Sequence, residues 1–236
     1  MRAAYLPIAA MLVSTLAWPA SAQDLQNVEI VVTGSRIDNS DYSDEMPAVG
    51  LRRKADFLVQ QVTVRGDTRD EGQREEEIRS MVANAIRSAQ RSGVELATGE
   101  YILTPLTLEN AADLVLADDR RPDSERVEFL VKVSLENRSG SEAQAVLKRF
   151  IDDVAEVGRA QMDAAGDATL SIVGPDRFRT QIIEQIAQDA KVQAGVLGDD
   201  YRVELAGLNM PVQWARSGPV EVLLFIPYEL RIVPAP

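Results

Sequence analysis

The stretch P-V-E-V-L-L-F-I-P-Y-E-L-R-I-V, from Pro219 to Val233, is the strongest strand signal in the sequence. Alternate residues from Val220 to Ile232 are all apolar or aromatic, which predicts one long strand with one apolar side. Helices upstream are expected to cover that side. Because Pro227 cannot donate a ladder hydrogen bond, we expect an edge strand or a bulge there, and an edge is a place where another chain can pair.

Upstream of this stretch, strand and helix patterns are mixed. Strands are predicted at Asp24–Ile37, Ala55–Gly66, Val94–Leu106, Arg126–Glu136, Ala168–Val173 and Tyr201–Leu208. Apolar residues at helical spacing predict three amphipathic helices. The first stops at Gly93, the second runs from a capping-box pair, Ser141 and Gln144, to about Ala165–Gly166, and the third runs from Gly174–Asp176 to Gly198. This order predicts an α+β fold in which a mixed or antiparallel sheet is packed by the three helices.

Polar or irregular stretches separate these elements. Asp38–Arg53 is interpreted as a linker, Asp118–Asp123 as an exposed loop and Asn209–Gly218 as a connector. The predicted organisation is a signal peptide at residues 1–22, an N-terminal extension or linker with a short strand at 23–54, and one α+β domain at 55–236.

The first 22 residues have the three parts of a secretion signal. Arg2 provides the positive start, Leu6–Trp18 the apolar middle, and Ala20–Ala22 the small-residue cleavage site. Removal of 22 from 236 residues leaves 214 and, because the signal carries one arginine and no acid, changes the formal net charge from −12 to −13. No later stretch reaches transmembrane length, so we expect an exported bacterial protein in the periplasm, with association with the outer membrane as a further expectation.

The composition argues against several kinds of function. The sequence has no histidine and no cysteine, which removes Ser-His and Cys-His nucleophile pairs and ordinary zinc or copper sites. A chain this acidic is repelled by nucleic acids and by anionic lipid headgroups. We therefore predict no catalytic residue, no cofactor, no metal site and no nucleic-acid partner; the expected partner is a protein or a second copy of the chain.

Five segments together resemble a family of exported bacterial proteins. They are V-T-V-R-G (Val62–Gly66), G-V-E-L (Gly93–Leu96), V-E-F-L-V-K-V-S-L (Val127–Leu135), I-A-Q-D-A-K-V-Q-A (Ile186–Ala194) and V-E-V-L-L-F-I-P-Y-E-L (Val220–Leu230). Their order and pattern resemble the SIMPL domain family, also called DUF541, across Ala55–Val233. The resemblance implies a SIMPL-like α+β fold in the periplasm or at the outer membrane, a tendency to oligomerise and no established enzymatic activity. It carries over no catalytic residue.

A second resemblance covers E-I-V-V-T-G-S-R-I at Glu29–Ile37. This segment resembles the one that follows the signal peptide in TonB-dependent outer-membrane receptors, where an extended segment can pair with the energy-coupling protein by strand addition. The resemblance implies a partner-binding segment made of Glu29, Ile30, Val31, Val32, Thr33, Gly34, Ser35, Arg36 and Ile37. A short structural strand or a disordered tail is the preferred interpretation of these nine residues, and partner binding is the alternative.

Other candidate sites carry less information. Adjacent acids at Asp118–Asp119, Asp152–Asp153 and Asp199–Asp200 lack the alternating oxygen ligands and the glycine of a calcium loop, so we interpret them as solvated or turn-forming. A second group comprises Tyr201, Met210 and Trp214. These residues either line a ligand pocket or an oligomer contact or, the preferred interpretation, pack the connector onto the sheet.

Two hypotheses of function follow from the sequence. The favoured one is a non-enzymatic envelope protein that acts by self-assembly or protein binding through its sheet edges and its N-terminal segment. The alternative is a periplasmic ligand-binding protein or a carboxylate-dependent hydrolase, which needs a concave pocket with two converging acids.

Overall fold

A computed structural model describes residues 28–32, 48–100 and 102–235. The strands within these ranges are β1 (Glu29–Val32), β2 (Leu51–Lys54), β3 (Phe57–Gly66), β4 (Glu95–Thr98), β5 (Thr104–Pro105), β6 (Ala117–Asp118), β7 (Glu125–Ser134), β8 (Gln161–Val173), β9 (Tyr201–Ala206), β10 (Gln213–Arg216), β11 (Glu221–Phe225) and β12 (Glu229–Pro234). The α-helices are α1 (Glu71–Ser92), α2 (Gly140–Asp153) and α3 (Arg179–Leu197). The predicted signal peptide lies outside the described residues.

Strand β3 is the centre of the largest sheet. All ten of its residues pair with β7, and most of them also pair with β8 on the other side. The sheet has the order β1-β8-β3-β7-β4-β5, and β6 pairs with the end of β7. Every strand pair in the described part of the chain is antiparallel. The fold class is therefore α+β, as the sequence predicted.

Helices α1 and α2 cover one face of this sheet. Alternate residues of the central strands point into a single apolar core shared with both helices. The core includes Val62 and Val64 of β3, Phe129 and Val131 of β7, Ile78 and Met81 of α1, and Leu147 and Phe150 of α2. This burial is the main source of stability for the two helices.

Helix α1 begins and ends where its sequence predicts. The side chain of Asp70 accepts a 2.8 Å hydrogen bond from the backbone N–H of Gln73, which satisfies one of the free donors at the helix start. Gly93 adopts the left-handed conformation, with φ of 64°, and its N–H donates to the carbonyl of Ala89. The prediction that Gly93 ends this helix is confirmed.

Helix α2 differs from its prediction at both ends. Its capping box uses Ser139 and Glu142, not Ser141 and Gln144. The helix ends at Asp153, and the stretch expected to continue it toward Gly166 instead forms the first half of β8. Pairing with β3 outweighs the weak helical preference of this stretch, and Gly166, at φ of 67°, lies where the β3–β8 register shifts.

The prediction of one long strand at Pro219–Val233 is wrong. The segment forms two strands in different sheets, because β11 pairs with β10 and β2 whereas β12 pairs with β9. Pro227 lies between them and has no N–H, so the ladder cannot continue through it. The apolar side is correctly predicted for the first of the two strands, where Val222 and Leu224 are fully buried, as is Ile226 directly after the strand.

The helices cover the predicted apolar side of the final segment only in part, because α3 packs on the ribbon that β12 forms with β9 whereas α1 and α2 pack elsewhere. Helices α1 and α2 pack on β3, β7 and β8, and α3 packs on β9. Two short strands lie in stretches interpreted as a linker and a connector: β2 pairs with β11 on one side, and β10 pairs with it on the other. Both strands are too short for an alternation of apolar and polar residues to be recognised within the polar sequence around them.

The large sheet curls until its two ends meet. Ile30 of β1 forms a bridge with Ile102, which lies just before β5 at the other end of the sheet. The turn that allows this approach contains Gly99, whose φ is 117°. A Cβ atom at Gly99 would collide with the carbonyl oxygen of Ile102. Only glycine fits both the conformation and the space.

We therefore predict that Gly99→Ala lowers the free energy of unfolding by about 2 kcal/mol, because the new methyl group would displace the backbone at Ile102. Gly195→Ala is the matched control, since Gly195 lies in α3 with open space around it. It should raise stability by about 0.5–1 kcal/mol through helix propensity. Urea denaturation of both variants measures the difference, and equal effects would contradict the role assigned to Gly99.

Candidate functional site

The predicted partner-binding segment enters the structure as β1. Its four residues pair in register with β8, from Glu29 opposite Val173 onward. On the other side, the N–H of Leu103 donates a 3.1 Å hydrogen bond to the carbonyl of Glu29. Ile30 is 2% exposed and belongs to the core. The remaining residues of the segment, Thr33–Ile37, lie outside the described residues.

Both main-chain sides of β1 therefore have partners within the chain. A protein that bound Glu29–Val32 by strand addition would have to displace either β8 or the segment at Ile102–Leu103. Displacing β8 would also expose Ile30 to water. Partner binding through Glu29–Ile37 stays a prediction, and the structure adds the contacts that such binding must replace.

An ion cluster around a buried lysine holds β1 from inside the curled sheet. Lys132 of β7 contacts the carboxylates of Glu29 on β1 and, at 3.3 Å, Glu95 on β4. The hydroxyl of Ser171 on β8 donates a 2.5 Å hydrogen bond to Glu29 Oε1, and Lys132 Nζ lies 4.1 Å from the centre of the Phe57 ring. The Lys132 side chain is only 6% exposed. The cluster thus links strands from across the sheet.

The chemistry of this cluster is structural rather than nucleophilic. The proton of Ser171 is directed to a carboxylate, and the Lys132 ammonium is shared by two carboxylates. A buried lysine needs such partners, because an unpaired charge in a low-dielectric interior is costly. The sequence shows Lys132 only as a polar residue of an alternating strand, so neither its burial nor its partners could be inferred from the pattern.

One concave region of about 480 Å³ lies beside the cluster. Glu29, Glu95 and Lys132 line one part of it, and apolar residues such as Leu96 and Leu106 line another. Two acids do converge here, which is the geometry that the ligand-binding or hydrolase alternative requires. Both acids contact the lysine between them. The alternative stays a prediction.

We predict that Lys132→Met lowers the free energy of unfolding by about 3 kcal/mol, because the carboxylate of Glu29 would remain buried without its cation. The double variant Glu29→Gln/Lys132→Met should recover much of the loss, since it removes both charges and keeps an acceptor for Ser171. Guanidinium denaturation measures both values. A double variant no more stable than the single one would show that the charge pair is not the cause.

A second polar region lies at the far end of β3. We call it the arginine cleft and define it by Arg65, Asp67, Arg120, Arg121 and Arg159; its volume is about 500 Å³. It is formed where β3 ends, where β6 turns toward β7, and where the chain enters β8. Sequence reasoning assigned Arg120 and Arg121 to an exposed loop and missed the cleft. The available signal was the Arg-Arg pair in a strongly acidic chain.

Glu77 of α1 fixes one wall of this cleft. Its carboxylate accepts hydrogen bonds from the Thr68 hydroxyl at 2.6 Å, the Gln73 side chain at 2.9 Å and the backbone N–H of Arg159 at 3.1 Å. These donors hold the pKa of Glu77 below its ordinary value, with the Thr68 hydroxyl as the largest cause. Gly158 passes so close that any Cβ there would collide with this carboxyl group.

Arg159 and Asp67 form the principal ion pair of the cleft. Arg159 Nε and Nη2 donate to the two oxygens of Asp67 at 2.6 and 2.9 Å, a bidentate arrangement. This contact lowers the pKa of Asp67 and raises that of Arg159. The backbone N–H of Arg159 also donates to Glu77, which fixes the position of the backbone that carries this guanidinium group.

The lowered pKa of Glu77 predicts a pH dependence of stability. The carboxylate form stabilises the folded state above the ordinary pKa of 4.5, and this contribution is lost as the pH falls below that value through the lower folded pKa. Glu77→Gln should therefore be less stable than the wild type at pH 7, and the difference should shrink as the pH falls below 4.5. Denaturation midpoints at several pH values test this, and a constant difference would contradict it.

The paired acids predicted to be solvated occupy separate places. Asp119 contacts Arg126 at 3.3 Å, and Asp152 contacts Lys148 one helical turn away at 2.7 Å. The carbonyl of Asp200 accepts from the N–H of Ala235. Within the described ranges, no group of three or more acids is placed to hold a metal ion.

The aromatic and methionine candidates near the C-terminus do not form one pocket wall. Trp214 lies on β10 and packs against the core, which agrees with the preferred interpretation of packing. Met210 and Tyr201 are each 43% exposed. Tyr201 begins β9, beside the exposed end of α3.

Comparison with known proteins leaves the family open. No family model matches the chain, and no curated protein does. One solved structure, that of an uncharacterized conserved protein from Listeria innocua, shows 11% sequence identity and a TM-score of 0.15, covering 77% of this chain and 92% of its own. A TM-score this low does not indicate a shared fold. Among the described residues, no helix is both long enough and apolar enough to cross a membrane.

Proposed function

We propose that this chain is a non-enzymatic exported protein of the bacterial envelope, with a SIMPL-like fold, that acts by pairing with a second copy of itself through β9. Export rests on the signal pattern of residues 1–22, and the periplasm is the proposed location. The family assignment rests on the sequence resemblance across Ala55–Val233. The observation that supports self-pairing is the ribbon formed by β9 and β12.

The ribbon has two open edges. Within the described part of the chain, β9 and β12 pair only with each other. Their less exposed side chains, which include Val203, Leu205, Leu230 and Ile232, share the side of the ribbon covered by α3. An open edge presents unpaired N–H and C=O groups that another strand can use.

The charges along β9 are complementary to themselves under two-fold symmetry. If two copies of β9 pair antiparallel with Val203 opposite its own copy, Arg202 of each strand lies opposite Glu204 of the other. Charged side chains, especially lysine, and proline commonly protect natural sheet edges from pairing. The segment Tyr201–Ala206 has no lysine and no proline, and its two charges, Arg202 and Glu204, are opposite in sign, so each cross-copy pair would contribute about 0.2–1 kcal/mol.

Exposed apolar residues extend this surface beyond the strand. They are Val192, Val196 and Leu197 at the end of α3 and Tyr201 at the start of β9, and Val196 is 81% exposed. Four large exposed apolar residues so close in sequence are typical of a contact surface. In the proposed dimer, Tyr201 of each copy lies opposite Leu205 of the other, which adds apolar contact beside the charge pairs.

We predict that the mature protein is a dimer and that Arg202→Glu makes it a monomer, because the introduced carboxylate would face Glu204 of the other copy at both symmetry-related positions. Arg202→Glu/Glu204→Arg should restore the dimer, since opposite charges then face each other again. Size-exclusion chromatography with light scattering at several protein concentrations measures the mass. A wild type that stays monomeric, or an Arg202→Glu variant that stays dimeric, overturns the proposal.

Two controls separate this effect from a change in fold or charge. Arg91→Glu changes the net charge by the same amount on α1 and should leave the dimer intact. Circular dichroism of the double variant checks the ribbon, because the guanidinium introduced by Glu204→Arg would lie opposite Arg231 within the same copy. A dimer lost only through unfolding would appear there as a lower melting temperature.

A further inference from the structure

We infer that the arginine cleft binds a small ligand that carries phosphate or carboxylate oxyanions. The cleft gathers four guanidinium groups, from Arg65, Arg120, Arg121 and Arg159, in a chain whose formal net charge is −12. Two aspartates, Asp67 and Asp119, also line the cleft, so the formal net charge of its lining residues is +2. A locally positive depression on an acidic protein concentrates anions there and repels them elsewhere.

The two aspartates are already neutralised by their own partners. Asp67 receives two hydrogen bonds from Arg159. Asp119 contacts Arg126 at 3.3 Å and accepts from the backbone N–H of Arg120, which together lower its pKa, the backbone contact being the larger cause. Both carboxylates therefore stay ionised, and their hydrogen bonds go to groups other than the guanidinium groups of Arg120 and Arg121.

Arg120 and Arg121 have no such partner. Neither guanidinium forms an ion pair with a carboxylate of the described residues. Arg65 contacts Asp163 only at 3.6 Å, at the edge of the cleft. Three arginines are thus free, or nearly free, to donate to a ligand.

The turn that carries this pair has a fixed backbone. The N–H of Asp119 donates to the carbonyl of Ser124 at 2.9 Å, and the Ser124 hydroxyl donates to the carbonyl of Arg121 at 2.8 Å. Ser124 is 6% exposed, so water competes little for these bonds. A turn held this way loses little freedom when its side chains bind a ligand.

The side chains in the cleft define the class of ligand. Every lining residue is polar or a glycine, so the cleft favours a polar ligand over an apolar one. All of its cations are arginines, whose planar forks donate two parallel hydrogen bonds to phosphate or carboxylate oxygens. Its volume of about 500 Å³ is that of a small-molecule site. A nucleic acid is excluded as ligand, because the rest of the surface repels it.

Isothermal titration calorimetry of the mature protein with two probes, inorganic pyrophosphate and citrate, tests this inference at fixed low ionic strength. We expect the wild type to bind at least one probe, and the better probe identifies the oxyanion as phosphate or carboxylate. Arg120→Gln/Arg121→Gln should weaken that binding at least about tenfold, since it removes the two free guanidinium groups.

The matched control is Arg87→Gln/Arg91→Gln, which changes the net charge equally at the other end of α1. It should bind the probe as the wild type does. Failure of the wild type to bind either probe overturns the inference, as does undiminished binding by the variant that lacks both cleft arginines. An equal loss in the control variant also overturns it, because the effect would then be one of net charge alone. The oligomeric state is measured separately, so this result does not depend on the proposed dimer.

Discussion

The pairing of β3 along both of its edges is the constraint on which the rest of the structure depends. A strand hydrogen-bonded on both sides cannot slip by one residue, because a slip would move Val62 and Val64 from the core to the opposite face. The fixed register sets which residues of β7 and β8 face α1 and α2. It also sets which side chains face the interior of the curled sheet, Lys132 among them.

The two polar regions lie at opposite ends of this same strand. Phe57 at its start contacts Lys132, whereas Gly66 at its end lines the arginine cleft. Ten residues of strand separate them by roughly 30 Å. In the first region the Lys132 side chain is buried and its charge is paired, whereas the second region is open and the guanidinium groups of Arg120 and Arg121 form no ion pair with a carboxylate of the described residues. This difference in exposure follows from where the two regions lie. The Lys132 cluster lies where the ends of the curled sheet meet, and the arginine cleft lies where strands end at the surface.

Local signals in the sequence predicted local structure well. The alternation in β7 and the Gly93 stop of α1 could be read because each depends on nearby residues. The prediction of one long final strand failed because a single proline, Pro227, ends the ladder despite an otherwise regular alternation of apolar residues. The prediction for the first half of β8 failed because this stretch pairs with β3, which is distant in sequence, and no local pattern encodes such a contact. The Lys132 cluster was invisible for the same reason, since Glu29 and Ser171 are 142 residues apart.

The position of β1 in the sheet also constrains the order in which parts of the protein fold. β1 pairs with β8, whose residue Val173 lies opposite Glu29. A chain is synthesised from its N-terminus, so β1 must wait unpaired, with Ile30 exposed, until β8 has been synthesised. Joining segments so distant carries a loop-closure cost that local helices avoid, which makes this docking a late event in folding. Until β1 docks, the backbone of Glu29–Val32 is available to pair with any other strand, whereas in the folded protein it is paired with β8.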